Sequence, residues 1–254
     1  MSETQKVALI VGGTTGMGRE SAKALLQRGA VVRIVGRNQQ RLDKVREELS
    51  DYGVVETAQA DLTNREDVDA LIASIDSDDR PYAYLVNAAG TFNPTSFLDH
   101  SEADYDAYLD LNKATFFITQ AVARNMVKNG GGSIVNIGSM WAKQAVKATP
   151  SSAYSMAKAG LHSLTQHLAM ELGDHGIRVN AVSPAVVATP IYEAFIDPSD
   201  VDEALQGFNG FHPIGRIGRP EDVASAIDYL LSDNAAWITG TVVDVDGGVM
   251  AGRN

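Results

Sequence analysis

Tyr154 and Lys158 lie four residues apart, and Ser139 precedes the tyrosine by fifteen residues. Four residues along one helix place two side chains on the same face. A phenol beside a fixed ammonium loses its proton more readily, because the cation stabilises the phenolate. The spacing therefore predicts a side-chain pair that can transfer a proton.

A glycine turn lies near the N-terminus, in the run Val11-Gly-Gly-Thr-Thr-Gly-Met-Gly18. It follows an apolar segment and opens an amphipathic one, so the unpaired N–H groups of a helix start could receive a pyrophosphate. Its spacing, G-x-x-x-G-x-G, differs from the commoner G-x-G-x-x-G fingerprint, and the turn alone leaves an ordinary tight turn as an alternative. With the tyrosine and lysine, the turn indicates proton transfer coupled to hydride transfer.

The second apolar segment ends in Val35-Gly36-Arg37-Asn38. An NAD-binding chain usually carries an acidic residue here, which binds the ribose 2′-hydroxyl. Gly36 leaves that carboxylate out, and Arg37 could form a charge-assisted pair with a 2′-phosphate. The sequence therefore favours NADP(H) over NAD(H), with a solvated helix-start arginine as the alternative.

Short Val- and Ile-rich segments alternate with longer amphipathic ones, a pattern that predicts βαβ units. We expect an α/β fold with a single Rossmann-type, doubly wound parallel sheet of about seven strands and helices on both faces. The predicted strands are Val7–Val11, Val31–Val35, Val54–Gln59, Tyr84–Val86, Ser133–Ile137, Arg178–Val182 and Thr241–Val245. The predicted helices lie near 17–28, 38–50, 64–76, 102–128, 152–173 and 220–232.

One stretch, 185–217, interrupts this alternation and carries Pro190, Pro198 and Pro213. Long irregular segments in a compact domain often serve as lids or binding loops. We predict a substrate-binding loop or lid here, with a surface excursion as the alternative. Because no linker or repeat divides the chain, residues 1–254 are expected to form one domain.

The composition limits the classes of partner. A net charge of -11 argues against nucleic acids and anionic membranes. The chain has no cysteine, its five histidines show no ligand spacing, and we predict no metal site. No signal peptide or membrane-spanning segment is recognised, so we expect a cytoplasmic protein.

Taken together, these residues resemble the classical short-chain dehydrogenase/reductase family. The likeness covers nearly the whole chain and depends on several motifs in order. They are the turn Gly12–Gly18, Asp61, Asn87-Ala-Ala-Gly90, Asn112, Ser139, Tyr154-x-x-x-Lys158, Pro184 through Thr189 and Asp246-Gly-Gly248. Three features depart from the family pattern: Val11 replaces a threonine, Ala185 replaces a glycine, and the loop 140–153 is enlarged, because the Ser139 to Tyr154 spacing exceeds the usual one.

The resemblance implies a catalytic tetrad of Asn112, Ser139, Tyr154 and Lys158. Tyr154 would exchange a proton with the substrate oxygen, and Ser139 would hydrogen-bond the same oxygen. Lys158 would lower the phenol pKa and bind the ribose hydroxyls, while Asn112 would position a chain of water molecules that resupplies protons.

The resemblance also implies an NADP(H) site along the carboxyl ends of the strands. The expected cofactor-binding residues are Gly12, Thr14, Thr15, Gly16, Met17, Gly18, Arg37, Asn38, Asp61, Leu62, Asn87, Ala88, Ala89, Gly90, Tyr154, Lys158, Pro184, Val187 and Thr189.

The expected substrate residues are Trp141, Gln144, Tyr192 and Phe195. Their aromatic content favours an apolar ketone or secondary alcohol, cyclic or aryl, although the same rings could instead pack the 185–217 segment against the core. A 3-oxoacyl-(carrier protein) reductase of the same family and a non-catalytic NADP(H)-sensing protein are the alternatives. The resemblance further implies a homotetramer that acts on a small molecule.

Overall fold

Seven short apolar segments form one parallel sheet in the computed structural model, which describes residues 5–147 and 149–252. The strands are β1 (Val7–Val11), β2 (Val31–Gly36), β3 (Val55–Gln59), β4 (Tyr82–Asn87), β5 (Gly132–Ile137), β6 (Ile177–Pro184) and β7 (Val242–Val245). Every residue of β1 is buried, as expected for a parallel strand covered on both faces. The predicted strands are confirmed, with bounds that differ by at most two residues.

Seven helices connect and cover the strands. They are α1 (Gly16–Gln27), α2 (Gln39–Leu49), α3 (Arg65–Asp76), α4 (Glu102–Lys128), α5 (Ser152–Leu172), α6 (Val201–Gln206) and α7 (Pro220–Leu231). Six of them were predicted, whereas the short α6 was not.

The helices divide between the two faces of the sheet. Apolar residues of α3, α4 and α5 share one core cluster with alternate strand residues such as Leu9 and Ile134. Those of α1, α2 and α7 share the other cluster with Ile10 and Val135. Because successive strand side chains point to opposite faces, β1 and β5 contribute to both cores. The predicted doubly wound α/β fold is therefore confirmed.

The strand order is β3-β2-β1-β4-β5-β6-β7. The chain winds outward from β1 to β3, crosses back to β4 beside β1, and winds outward again to β7. In such sheets a crevice opens where the order reverses, outside the carboxyl ends of the strands. The fold therefore brings the loops after β1 and β4 together there.

The 185–217 segment is an excursion that is closed at its base. Val187 pairs with Gly218 in an isolated parallel bridge, and the Gly218 N–H donates to the Val186 carbonyl at 2.9 Å. Between these points lie α6 and two short 3-10 turns, Pro190–Ala194 and Asn209–Phe211. The excursion is thus a tied loop that contains its own short helix.

Across the part of the chain that the structure describes, no helix is both long enough and apolar enough to cross a membrane.

Candidate active site

A cavity of about 770 Å³ lies at the carboxyl ends of the first six strands. Most of the predicted site residues line it. These are Gly12, Thr14, Thr15, Gly16, Met17, Gly18, Arg37, Asp61, Leu62, Ala88, Ala89, Gly90, Ser139, Trp141, Tyr154, Lys158, Pro184, Val187, Thr189, Tyr192 and Phe195. The cavity is continuous from the glycine turn to the aromatic residues of the excursion.

The glycine turn packs directly against the loop after β4. Gly12 has a φ of 84°, and a Cβ built there would lie 2.5 Å from the Ala89 backbone nitrogen. Helix α1 then begins after Thr15, whose side chain does not cap the helix, and its first turn contains no acidic residue. The N–H groups of this helix start therefore face the cavity without an internal anion to satisfy them.

Two arginines line the cavity beyond the end of β2. Arg37 was predicted, but Arg41, one turn into α2, was not. Within residues 5–147 and 149–252, neither guanidinium belongs to an ion pair shorter than 4.0 Å. Gly36 is packed tightly, because a Cβ there would lie 2.7 Å from the Thr14 Cγ2 atom. The end of the cavity beside Arg37 and Arg41 is thus cationic. Because Gly36 has no side chain, this end has room for an anionic group.

Asn38 was predicted to bind the cofactor, but it does not line the cavity. Its side chain instead accepts the Arg41 N–H at 2.9 Å and caps α2. Asn is among the preferred capping residues, because its short side chain satisfies a free N–H of the first turn. The role of Asn38 is therefore to fix the start of the helix that carries Arg41.

Asp61, after β3, lies at the cavity wall. Its carboxylate accepts the Thr63 N–H at 2.9 Å and the Thr63 hydroxyl at 2.8 Å. These hydrogen bonds hold the pKa of Asp61 below its usual value, so the side chain is an anion at neutral pH.

Asn87 is buried behind the cavity rather than in its lining. Its amide nitrogen donates to Thr119 Oγ1 at 2.9 Å and to Asn136 Oδ1 at 2.8 Å. Asn136 in turn donates to Thr165 at 2.9 Å. This polar chain runs from α4 through β4 and β5 to α5, and it holds the strand ends that face the cavity.

Ser139, Tyr154 and Lys158 meet at the centre of the cavity. Ser139 follows β5, and the other two side chains lie on the first two turns of α5. The Lys158 Nζ atom lies 5.8 Å from the centre of the Tyr154 ring and donates a hydrogen bond to the Ile137 carbonyl at 2.7 Å. The predicted trio is thus assembled by a strand end and one helix face.

Burial shifts the pKa values of this pair in opposite directions. Burial raises the pKa of Tyr154 to about 12, although a hydrogen bond with Ser139 opposes the rise. Burial also lowers the pKa of Lys158 to about 8. Both shifts have the same cause, since a low dielectric disfavours the charged form of either group. Burial thus sets the pKa of the phenol in this structure, and the lowering by Lys158 that the family resemblance implies stays a prediction.

Asn112 lies on α4 outside the cavity lining. Its amide nitrogen donates to the Ala157 carbonyl at 2.8 Å and so joins α4 to α5 beside Lys158. An Asn inside a helix commonly bonds a nearby backbone group. Here that group belongs to the neighbouring helix.

Aromatic rings form the remaining wall of the cavity. The Phe92 ring lies 4.8 Å from the Tyr154 ring, 5.6 Å from that of Phe195 and 6.2 Å from that of Trp141. Tyr192 extends the group, with its ring 6.0 Å from that of Phe195. These rings both line the cavity and pack on one another. Gln144 was predicted in this group but does not line the cavity.

Phe92 and Arg41 are two of the cavity residues that sequence reasoning missed. Phe92 follows Gly90 by two residues, in a loop that carries no periodic pattern. Arg41 follows Arg37 by four residues at a helix start. That spacing could have indicated a second cation on the same face of α2.

Comparisons with known proteins identify a matching family model and similar chains. A family model described as enoyl-(acyl carrier protein) reductase matches residues 11–250. The chain is similar to the 3alpha-hydroxysteroid dehydrogenase of Mediterraneibacter gnavus, with 34% identity over 247 residues that cover 95% of this chain and 96% of that protein. It is also similar to the 3-oxoacyl-(acyl-carrier-protein) reductase of Thermotoga maritima, with 32% identity over 248 residues that cover 96% and 98% of the two chains.

One similar solved structure is the L-sorbose reductase of Gluconobacter frateurii in complex with NADPH and L-sorbose. The two structures have a TM-score of 0.89 and 28% sequence identity, and the match covers 98% of each chain.

Proposed function

Because this chain belongs to the short-chain dehydrogenase/reductase family, we propose that it is an NADP(H)-dependent oxidoreductase that interconverts a ketone and a secondary alcohol. One observation carries the proposal. A single cavity joins the glycine turn and two unpaired arginines to a buried tyrosine, serine and lysine. Anion binding and proton transfer therefore take place within one continuous cavity.

Tyr154 acts as the general acid in ketone reduction. With a pKa of about 12, its phenol keeps its proton at neutral pH, which is the state that donates to a carbonyl oxygen. Ser139 donates a hydrogen bond to the same oxygen and stabilises the charge that develops there. When bound, the nicotinamide supplies or accepts the hydride.

Lys158 binds the ribose hydroxyls through its ammonium. One of its three N–H donors bonds the Ile137 carbonyl at 2.7 Å, and the other two would be available to the ribose hydroxyls. Asn112 holds the backbone of the adjacent helical turn, and the water chain expected at this residue is part of the proposal.

The residues around the glycine turn fit NADP(H). The uncapped start of α1 suits the pyrophosphate, and Arg37 and Arg41 suit a 2′-phosphate. Gly36 leaves out the carboxylate that would repel that phosphate. The NADPH complex of the similar L-sorbose reductase supports the same choice.

The substrate is an apolar ketone or secondary alcohol with a ring that packs against the aromatic wall. Phe92, Trp141 and Phe195 present apolar surface beside Tyr154. The similarity to a 3alpha-hydroxysteroid dehydrogenase supports a cyclic substrate.

Reduction of carrier-linked 3-oxoacyl groups is the second candidate, favoured by the similarity to a 3-oxoacyl-(acyl-carrier-protein) reductase. Docking an acidic carrier needs cations around the cavity mouth. Among the described residues, Arg37, Arg41 and Lys158 are the lysine and arginine residues that line the cavity, and we assign all three to the cofactor, so we place this candidate second.

The test is the loss of NADPH absorbance with cyclic ketones, aryl ketones, sugars and 3-oxoacyl thioesters. We expect turnover of cyclic or aryl ketones. Turnover confined to thioesters would support the carrier-linked candidate. NADPH binding without any turnover would instead support a non-catalytic NADP(H)-sensing protein.

Replacement of the proposed acid tests the mechanism. Tyr154→Phe removes the phenolic proton and is expected to abolish reduction while NADPH affinity, measured by fluorescence titration, stays the same. Tyr229→Phe, the same change at an exposed position on α7, is the matched control. Reduction by Tyr154→Phe at near the wild-type rate would refute the proposed role of the tyrosine.

The proposal also includes a single domain over residues 1–254, with the 185–217 excursion as its substrate loop. The cytoplasmic location and the homotetramer expected from the sequence stay predictions.

A further inference from the structure

His162 lies on α5, about one helical turn after Lys158. It follows Lys158 by four residues and Tyr154 by eight, so the three side chains share one face of the helix. Its side chain is buried, with only 9% exposed. Burial removes the hydrogen bonds that a histidine ring would form with water, so a buried ring usually finds a hydrogen-bond partner within the protein.

The partner of the His162 ring is the backbone of Ser139. The Ser139 N–H donates to the His162 Nε2 atom over an N to N distance of 3.4 Å. A backbone N–H only donates, so Nε2 is the unprotonated nitrogen and the ring proton is assigned to Nδ1.

Gly138 makes room for this contact. A Cβ built on Gly138 would overlap the His162 Nε2 atom. The glycine N–H is itself held by the Val182 carbonyl at 2.8 Å, so the strand end cannot move aside freely. A side chain at position 138 and an imidazole at 162 therefore exclude one another.

The surroundings keep the imidazole neutral. Burial lowers the pKa of His162 to about 4, and the nearby cations Lys143 and Lys158 add to the lowering, while Asp244 opposes it. Lys143 and Asp244 form an ion pair with a distance of 2.7 Å at the outer side. The ring is therefore an acceptor at neutral pH, as the bond to Ser139 requires.

We propose that His162 is a positioning residue, which holds the Ser139 backbone through its Nε2 atom and thereby orients the Ser139 hydroxyl beside Tyr154. This inference rests on the proposed function, because it takes the Ser139 hydroxyl as the group that contacts the substrate oxygen. The Ser139 hydroxyl oxygen also accepts a hydrogen bond from the backbone N–H of Trp141 at 3.3 Å. The serine is thus restrained both at its backbone and at its side chain.

Two substitutions of similar size separate hydrogen bonding from packing. His162→Gln keeps an acceptor at a similar distance from the backbone, whereas His162→Met fills a similar space without a strong acceptor. Misplacement of a reacting group by a fraction of an ångström lowers the rate rather than ligand affinity. We expect kcat to fall about tenfold in His162→Met and less than about threefold in His162→Gln, with unchanged NADPH affinity in both.

His167→Met is the matched control, since His167 lies exposed on the same helix. It is expected to leave kcat unchanged. Wild-type kcat in His162→Met, or equal losses in the Gln and Met variants, would overturn the proposal. Thermal unfolding of each variant checks that the comparison is made on folded protein.

A second readout does not depend on turnover. Hydrogen exchange of the Ser139 amide, followed by NMR, is expected to be slow in the wild type and in His162→Gln. In His162→Met it is expected to be about tenfold faster, because the amide has lost its acceptor. Equal exchange in all three proteins would overturn the contact. If the wild type reduces no carbonyl compound, the proposed function fails while this measurement still decides the contact.

The packing of Gly138 gives an independent test. Gly138→Ala alone is expected to lower kcat, because its methyl group displaces the ring. Adding His162→Ala removes the ring and should make the double variant more active than the product of the single effects predicts. Simple additivity would contradict the mutual exclusion of the two side chains.

Discussion

At the scale of single residues, Tyr154 and Lys158 show how one physical cause can act oppositely on two neighbours. Burial raises the pKa of the Tyr154 phenol and lowers the pKa of the Lys158 ammonium. The spacing of the two residues could be read from the sequence. Their pKa values could not, because these depend on how completely other elements exclude water.

The lysine pKa predicts how NADPH affinity depends on pH. A lowered pKa of about 8 means that Lys158 is charged below that pH and neutral above it. Affinity is expected to weaken several-fold as the pH rises from about 7 to about 9, because the ammonium is lost. Fluorescence titration of NADPH at each pH measures this.

Lys158→Met is the control for that titration, since it has no proton to lose and should show a weaker affinity without the break. A wild-type affinity that stays constant through about pH 9 would contradict the lowered pKa.

In the proposed function, the preference for NADP(H) over NAD(H) depends on Gly36 and Arg37. Arg37→Ala is expected to weaken NADPH binding about tenfold and to leave NADH binding unchanged, because only NADPH carries the 2′-phosphate. The two dissociation constants measure the effect. Arg46→Ala, at an exposed position on α2, is the control. An equal loss for both cofactors would mean that Arg37 supports the fold instead.

A complete change of preference needs a second substitution. Gly36→Asp introduces the carboxylate that suits NADH, but its Cβ would lie 2.7 Å from Thr14 Cγ2. Thr14→Ser removes that methyl group, so the pair is expected to favour NADH where Gly36→Asp alone binds both cofactors poorly. A single variant that prefers NADH as strongly as the pair would contradict this steric argument. The kcat/KM ratio for the two cofactors decides.

Among the site residues, those carried by a spaced motif could be predicted and those defined by packing could not. Spacing in the sequence predicts the glycine turn, Ser139, Tyr154 and Lys158. His162 and Phe92 become site residues only because Gly138 and the loop after β4 bring them there. The spacing of His162 from Tyr154 and Lys158 indicates a shared helix face, but no pattern along the chain records its contact with Gly138 or the position of Phe92.

At the scale of elements, hydrophobic periodicity predicts the strands and the longer helices well. Strand β1 is buried on both faces, so its apolar run is continuous, whereas the edge strand β3 is only partly buried and carries Glu56, Thr57 and Gln59. The 185–217 excursion shows the limit of this reasoning. Its base is closed by the Val187 and Gly218 bridge, which joins two distant residues without a local signal. Its short helix α6 has too few residues to show a period.

Asn125 ties α4 to the start of β4 and gives a prediction about stability. The Asn125 side-chain Oδ1 atom accepts the Tyr82 backbone N–H at 3.0 Å. The side-chain Nδ2 atom donates to the backbone carbonyls of Asp78 and Arg80 at 3.1 Å. Asn125→Leu leaves these backbone groups unpaired, at a cost of about 2 to 4 kcal/mol in the free energy of unfolding. Urea unfolding measures the cost.

The same variant is expected to keep its kcat at moderate temperature, because the contact lies at the opposite end of the sheet from the cavity. Gln120→Leu, at an exposed position on α4, is the control and should change stability by less than about 0.5 kcal/mol. A comparable loss of stability in both variants would show that the buried amide is not the cause.

At the scale of the whole molecule, α4 and α5 expose apolar residues that a monomer would leave in water. These include Phe116, Met156 and Met170, which are 44%, 46% and 84% exposed. Burying apolar surface between copies of the chain would stabilise an assembly. We expect light scattering to give four times the chain mass of 27.1 kDa.

Phe116→Asp should lower that mass, because it places charges at the expected contact between helices. Tyr52→Asp, at a similarly exposed aromatic outside α4 and α5, should not. A monomer mass for the wild type would refute the homotetramer.

The tied excursion touches both ends of the cavity. Thr189 packs within 3.3 Å of a Cβ position on Gly16 in the glycine turn, while Phe195 and Leu205 line the aromatic end. Any movement that admits one ligand therefore loosens the enclosure of the other. Where such a movement is slower than the chemistry, chemically different ketones would share one maximal velocity and one dependence on solvent viscosity. Selectivity among them would then be expressed in kcat/KM alone.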